Sequence, residues 1–165
     1  MGDRGVSAVD QPAERAEFTV RVADAGDVAA IAALEKVAFT DAWSAGEFAQ
    51  LADSDRSIFL VALDAAGGTL LGYVIVAAVV DEAEVLNLAV APECRGVGLG
   101  GMLLDAALSR AAAAGATSVF LEVRESNDAA RALYASRGFG EIARRRQYYR
   151  KPVEDALVLR GAVQR

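Results

Sequence analysis

Between Val85 and Leu104 the chain reads VLNLAVAPECRGVGLGGMLL. An aliphatic run passes through a glycine-rich loop into a second run whose apolar residues recur at helical spacing. Gly96, Gly98, Gly100 and Gly101 crowd that loop. The next apolar run, SVFLEV from Ser118, returns as a strand. Strand, loop, helix and strand make a βαβ unit, which demands a sheet with a helix packed over it.

The flanking sequence supplies the rest of a mixed sheet. FTVRVA (Phe18–Ala23) alternates as a first strand. Asp27 is placed to cap a helix over VAAIAALEKVAF, and Ser44 a shorter one over AGEFAQLA. Ser57–Leu63 and Leu70–Val80 flank a connection containing Gly67 and Gly68, which reads as a strand pair. EVLNLAV is a fourth strand, and a helix from about Gly98 to Ala114 ends at Gly115. A last helix over NDAARALYASRG has Asn127 as its cap and Gly138 as its stop, and GFGEIARRRQYY and EDALVLR close the pattern as strands. The order is strand, two helices, three strands, helix, strand, helix, two strands. It is an α/β chain with helices over the faces of a mixed sheet.

A length of 165 residues with 54% hydrophobic content fits one domain with its own core, over residues 17–161, after a polar flexible tail over 1–16. The net charge of −6 argues against a broad nucleic-acid face. The first 18 residues lack the apolar core of a signal peptide, and the longest apolar run is too short to span a bilayer, so a soluble cytoplasmic protein with no membrane partner is expected. There is no histidine, which removes the usual serine and cysteine triads and the commonest metal ligand. With Cys94 as the single cysteine, no metal site is expected.

The glycine loop admits three readings. Glycines between strand and helix often only make a tight turn. Gly96 to Gly101 also spells G-x-G-x-x-G, the dinucleotide fingerprint, with Glu122 at the distance of a ribose-binding acid. Against this, five residues, Ala91 to Arg95, separate the strand from the first glycine, and Glu122 lies inside an apolar strand rather than at its end. In the third reading the register starts at Arg95. Glycines let backbone N–H groups converge where a helix begins with unpaired N–H groups and the positive end of its dipole, forming a metal-free pyrophosphate seat.

In that register Arg95-Gly96-Val97-Gly98-Leu99-Gly100 resembles the R/Q-x-x-G-x-G/A motif with which GNAT acetyltransferases grip the pyrophosphate of acetyl-CoA. VVDEAEVLNLAV before the loop, LEVRESNDAARALYASRGF after it and RRRQYY further on resemble one group of that family, the ribosomal-protein-S18-alanine N-acetyltransferases (RimI). The resemblance runs from about Phe18 to Leu159. It implies the GNAT fold, a mixed and mostly antiparallel sheet of six to seven strands flanked by about four helices. It implies acetyl-CoA as cosubstrate and a protein N-terminus, such as that of S18, as acceptor, with no direct nucleic-acid partner. The competing expectations are a GNAT enzyme acting on a small amine or lysine, and a non-catalytic acyl-CoA-binding module.

The resemblance also distributes roles. Glu122 of LEVR would be the general base, and Tyr134 of ALY the acid that protonates the departing thiolate. Residues Arg95, Gly96, Val97, Gly98, Leu99, Gly100 and Gly101 would seat the pyrophosphate. Asn127 would contact the pantetheine arm, and Leu88, Ala89 and Val90 would offer backbone N–H groups to the pantetheine amides and the acetyl oxygen. The residues themselves leave alternatives open. Glu122 can equally be a salt-bridged structural acid, although burial would suit it as a base by raising its pKa. Tyr134 sits where an aromatic usually packs a core, yet a phenol with pKa about 10 stays protonated at neutral pH and can donate to a thiolate. An α-amine titrates near 8, against about 10.4 for lysine, so one carboxylate suffices as base.

Three further groups draw notice. Asp81, Glu82 and Glu84 are a solvated turn or an attraction for an ammonium group. Arg144, Arg145, Arg146, Arg150 and Lys151, interleaved with Tyr148 and Tyr149, are an exposed hairpin or a contact for a substrate protein or its RNA. Trp43-Ser44 matches the family's substrate-groove dipeptide, but the preceding Thr40-Asp41-Ala42 departs from the usual Phe-Pro pattern.

Overall fold

In the computed structural model, which describes residues 17–163, the alternation of SVFLEVR becomes strand β5 (Ser118–Arg124). Val119, Leu121 and Val123 are buried on one face, while Phe120, Glu122 and Arg124 are half-buried on the other. The remaining strands are β1 (Thr19–Val22), β2 (Ser57–Leu63), β3 (Leu70–Val79), β4 (Glu82–Val90), β6 (Gly140–Tyr149) and β7 (Glu154–Ala162). They form one seven-stranded sheet in the order β1-β2-β3-β4-β5-β7-β6. Every pairing is antiparallel except β4 with β5, the two ends of the βαβ unit. The tail expected over residues 1–16 lies outside the described residues.

Four α-helices cover the sheet: α1 (Val28–Ala38), α2 (Ala45–Ala52), α3 (Leu99–Ala113) and α4 (Asp128–Ser136). The elements agree with the expected order to within about two residues at each end. Ser44 caps α2 by a reciprocal pair of hydrogen bonds with Glu47. Asp27 does not cap α1. A short 3-10 turn (Ala25–Asp27) runs straight into that helix and is itself capped by Asp24. The Asp27 carboxylate accepts instead from Asp24 N–H and from both terminal nitrogens of Arg21, at 2.7 and 2.9 Å. That pairing holds its pKa below the ordinary carboxylate range.

Two cores result. The α3–α4 face is aliphatic, with Leu60, Val74, Leu103, Leu104, Leu121 and Leu157 excluded from solvent and Ala107 and Ala111 letting α3 approach the strands closely. The α1–α2 face is aromatic. Phe48 packs against Trp43, Phe59 and Tyr73 with ring centroids 5.6–6.3 Å apart. No described helix is long and apolar enough to cross a membrane.

Candidate active site

The parallel pairing of β4 with β5 ends early. It runs from Glu82↔Ser118 to Val85↔Leu121 and then stops. Directly beyond, β4 carries an extra residue: Val85 pairs with Val76 and Asn87 with Ile75, so Leu86 is unmatched. Such a bulge bends its strand and increases its twist. The two strands therefore separate, leaving Leu86–Val90 and Glu122–Arg124, no longer paired with each other, as the walls of an opening in the sheet.

Backbone alternation tells which N–H groups face that opening. Ala91 N–H bonds Leu71 C=O on β3 at 2.8 Å. By the two-residue repeat, Ala89 also turns its N–H to β3, and Leu88 and Val90 turn theirs into the opening. The Val90 carbonyl faces the same way and accepts from Arg95 Nε at 3.4 Å. Of the three β4 residues expected at the cofactor, Leu88 and Val90 present backbone to the gap, and Ala89 is buried with its backbone committed elsewhere.

The glycine loop stands at the mouth of this opening. Pro92–Cys94 forms a 3-10 turn, after which Arg95, Gly96, Val97 and Gly98 are exposed. Gly96 and Gly98 have φ of +82° and +85°, a left-handed region that glycine enters without strain. Gly98 is the N-cap of α3, so the N–H groups of Leu99, Gly100 and Gly101 precede the first helical bond, Met102 N–H to Gly98 C=O at 3.1 Å. A Cβ at Gly101 would meet the flexible end of the Arg137 side chain, whose guanidinium bonds the Asp105 carboxylate at 3.1 Å.

Glu122 does not sit alone among apolar groups. Its side chain is 21% exposed and pairs with Arg145 Nε at 2.8 Å. Glu84, on the neighbouring strand, is raised above its ordinary pKa by partial burial and by the like charge of Glu122, against an opposing pull from Arg145. Tyr134 lies on the other side of the sheet, in the aliphatic core, 5.7 Å from the Phe139 ring. Burial, with a smaller contribution from Tyr149, pushes its phenol up to about 12. Asn127 caps α4 by accepting from Ala130 N–H at 3.1 Å. Its backbone N–H and C=O are taken by Arg124 and Arg131, which leaves its Nδ2 as the group available to a ligand.

Two features were not legible in the sequence. Tyr149, grouped with the basic hairpin by position, lies under the Arg124 guanidinium at 4.3 Å and is pushed up to about 12 by burial, then by Glu122 and Tyr148. Its own pKa is raised by the Glu122 charge, and it in turn raises that of Tyr134. The hairpin's arginines divide: Arg145 is held by Glu122, and Arg144 by Glu125 and Asp155. Arg124 bonds Asp41, Glu154 and the Arg150 and Pro152 carbonyls, tying the segment between α1 and α2 to the hairpin. The second feature is a wholly buried carboxylate, Glu35. Among the described residues no His/Cys/Asp/Glu cluster has the makings of a metal site.

Residues 28–139 match the acetyltransferase (GNAT) family. This chain belongs to that family. Its seven-stranded, mostly antiparallel sheet with four helices is the GNAT fold. The [ribosomal protein bS18]-alanine N-acetyltransferase of Salmonella typhimurium is 41% identical over 92 residues, 54% of this chain and 62% of its own length. A Bacillus subtilis relative is 33% identical over 134 residues, covering 81% of this chain and 87% of its own. The crystal structure of the Escherichia coli ribosomal-protein-S18-alanine N-acetyltransferase superposes with a TM-score of 0.83 at 32% identity, over 90% of this chain and 96% of that one.

Proposed function

We propose that residues 17–161 form one catalytic domain that transfers acetyl from acetyl-CoA to a protein α-amine, the N-terminal alanine of a ribosomal protein S18, in the cytoplasm. The observation that carries this reading is the opening between β4 and β5, with Leu88 and Val90 N–H groups on one wall and a glycine-lined helix N-terminus at its mouth. An extended pantetheine arm fits that opening as an added strand, and the pyrophosphate then meets the N–H groups of Leu99 to Gly101. The Nδ2 of Asn127 meets the arm near its middle.

The chemistry draws on both walls and on Tyr134 from the α3–α4 face of the sheet. The neutral α-amine nitrogen attacks the thioester carbon, and the carbonyl oxygen accepts from a β4 N–H as negative charge develops there. Glu122, directly or through a water, takes the proton that the attacking nitrogen loses. The carbon–sulfur bond breaks, and Tyr134 gives its proton to the thiolate, releasing free CoA. With a pKa of about 12, the phenol is fully protonated at neutral pH, and the same rise makes it a weaker acid than an ordinary tyrosine. Arg145 pairs with Glu122, and the incoming amine has to displace that guanidinium.

The test is thiol release on mixing acetyl-CoA with a peptide copying the N-terminus of S18, in competition with lysine and small amines. Turnover of the peptide above all other amines is expected. Turnover of a free amine alone overturns the substrate, and binding of acetyl-CoA without any turnover overturns the enzyme. Glu122→Gln should lower kcat by about 10²–10⁴-fold with acetyl-CoA affinity unchanged. An unaltered kcat removes Glu122 from the role of base.

A further inference from the structure

Glu35 on α1 is 1% exposed, and the chemistry above does not use it. Taking a carboxylate out of water is expensive unless hydrogen bonds replace the lost hydration. Here three donors do so. Trp43 N–H, from the segment between α1 and α2, donates to Oε1 at 3.2 Å. The Tyr73 hydroxyl and Asn87 Nδ2, the latter at 2.9 Å, donate to Oε2. Asn87 Nδ2 also lies 3.1 Å from the Tyr73 hydroxyl.

These contacts orient the Asn87 amide. A carboxylate only accepts, so it takes the NH₂ end, and the amide oxygen must point the other way. That oxygen accepts the Leu88 N–H at 3.0 Å. Leu88 is two residues past the unmatched Leu86 of the bulge, where β4 has already lost β5 and is held by β3 alone. Its N–H faces the opening where the thioester oxygen is to be stabilised. A donor at such a position works only if it is aimed before the reaction begins.

We propose that Glu35 and Asn87 are positioning residues for acetyl transfer: the buried carboxylate anchors the Asn87 amide, and the amide holds the Leu88 N–H aimed into the β4–β5 opening until the thioester oxygen takes that hydrogen bond over. The inference rests on the function proposed above. Through Trp43 the same carboxylate also fixes the segment between α1 and α2, so one side chain holds both that segment and the Asn87 amide.

The experiment compares wild type, Glu35→Gln, Asn87→Ala and the double variant Glu35→Gln/Asn87→Asp in the thiol-release assay, with acetyl-CoA affinity and thermal melting measured alongside. Glu35→Gln keeps the shape but turns an NH₂ group towards one of its donors. It and Asn87→Ala should each lower kcat by about 10- to 100-fold, short of the loss of a whole oxyanion donor, with acetyl-CoA affinity nearly unchanged in both and peptide KM nearly unchanged in Asn87→Ala. The double variant exchanges amide and carboxylate and should regain most of the lost kcat. Asn87 is only half-buried, so Asn87→Ala tests the tether even if Glu35→Gln does not fold. Amide hydrogen exchange read by NMR gives a second measure. Leu88 should exchange at least about tenfold faster in Asn87→Ala, while Leu60 and Val74 stay as protected as before.

An unchanged kcat in both single variants of an active wild type overturns the proposal. So does a fall in kcat that only follows the melting temperature, with no rescue in the double variant. Unchanged Leu88 exchange in Asn87→Ala overturns the tether by itself. A wild type without turnover instead overturns the functional reading, and the catalytic part of this proposal with it.

Discussion

The two faces of the sheet solve different problems. The α3–α4 face is aliphatic, and what it offers a ligand is backbone: left-handed glycines and the unpaired N–H groups at the start of α3. The α1–α2 face is aromatic and encloses a carboxylate wired to Trp43, Tyr73 and Asn87. One face presents fixed backbone dipoles, which suit the phosphate of the proposed cosubstrate. The other holds a single backbone donor in place through side chains. Backbone sites need the right φ angles and little else. Side-chain networks need every partner present, because a half-satisfied buried network is worse than none.

That contrast can be broken first in the cores. Phe48→Ala should destabilise the protein by about 3–5 kcal/mol and Leu103→Ala by about 2–5 kcal/mol. Both side chains are fully buried. The Phe48 ring packs edge-on to Tyr73, so its loss should also lower kcat by loosening the Glu35 network, beyond what the fall in melting temperature explains. If kcat falls equally in the two variants, measured well below their melting temperatures, the two faces are not functionally distinct.

A smaller effect sharpens the backbone side. Gly98 has φ of +85°, and an alanine there is strained by roughly 1–2 kcal/mol. Chemical denaturation of Gly98→Ala should show that loss, and calorimetry should show acetyl-CoA binding weakened by about tenfold if the strain is relieved by turning the loop. Binding as tight as wild type would mean that the loop geometry does not matter to the ligand.

The smallest effect lies at high pH. The Tyr134 phenol is raised in the folded protein, so folding favours its protonated form. The stability this contributes is fully present below the unfolded value near 10 and is lost as pH rises through about 12. Melting temperature should fall over that window, less steeply in Tyr134→Phe. Equal slopes would place the phenol in a more solvated setting than its buried position implies.

The strand and helix order was legible because periodicity, caps and glycine stops are local. Asn127, Ser44 and Gly115 act where their neighbours say they should. Asp27 misled because a carboxylate near a helix start has competing partners, and Arg21 on β1 outcompeted the helix. Glu122 was placed on the correct face of its strand, but its partner Arg145 comes from β6, a neighbour that no spacing announces. Glu35 was hidden for a similar reason. On a helix wheel it is one acid beside Lys36, and only packing against β3 and β4 makes it a buried hub.

By itself, the sequence determined where the chain turns, which faces are apolar, and that a helix would start among glycines, since each depends on residues within a turn or two. The tertiary structure decided which polar groups meet. The β4 bulge, the separation of β4 from β5, the Arg145 pairing of Glu122 and the chain from Glu35 through Asn87 to Leu88 all join segments distant in sequence. The physical reason is that hydrogen bonds and ion pairs act over about 3 Å, and only the packed sheet brings their partners that close.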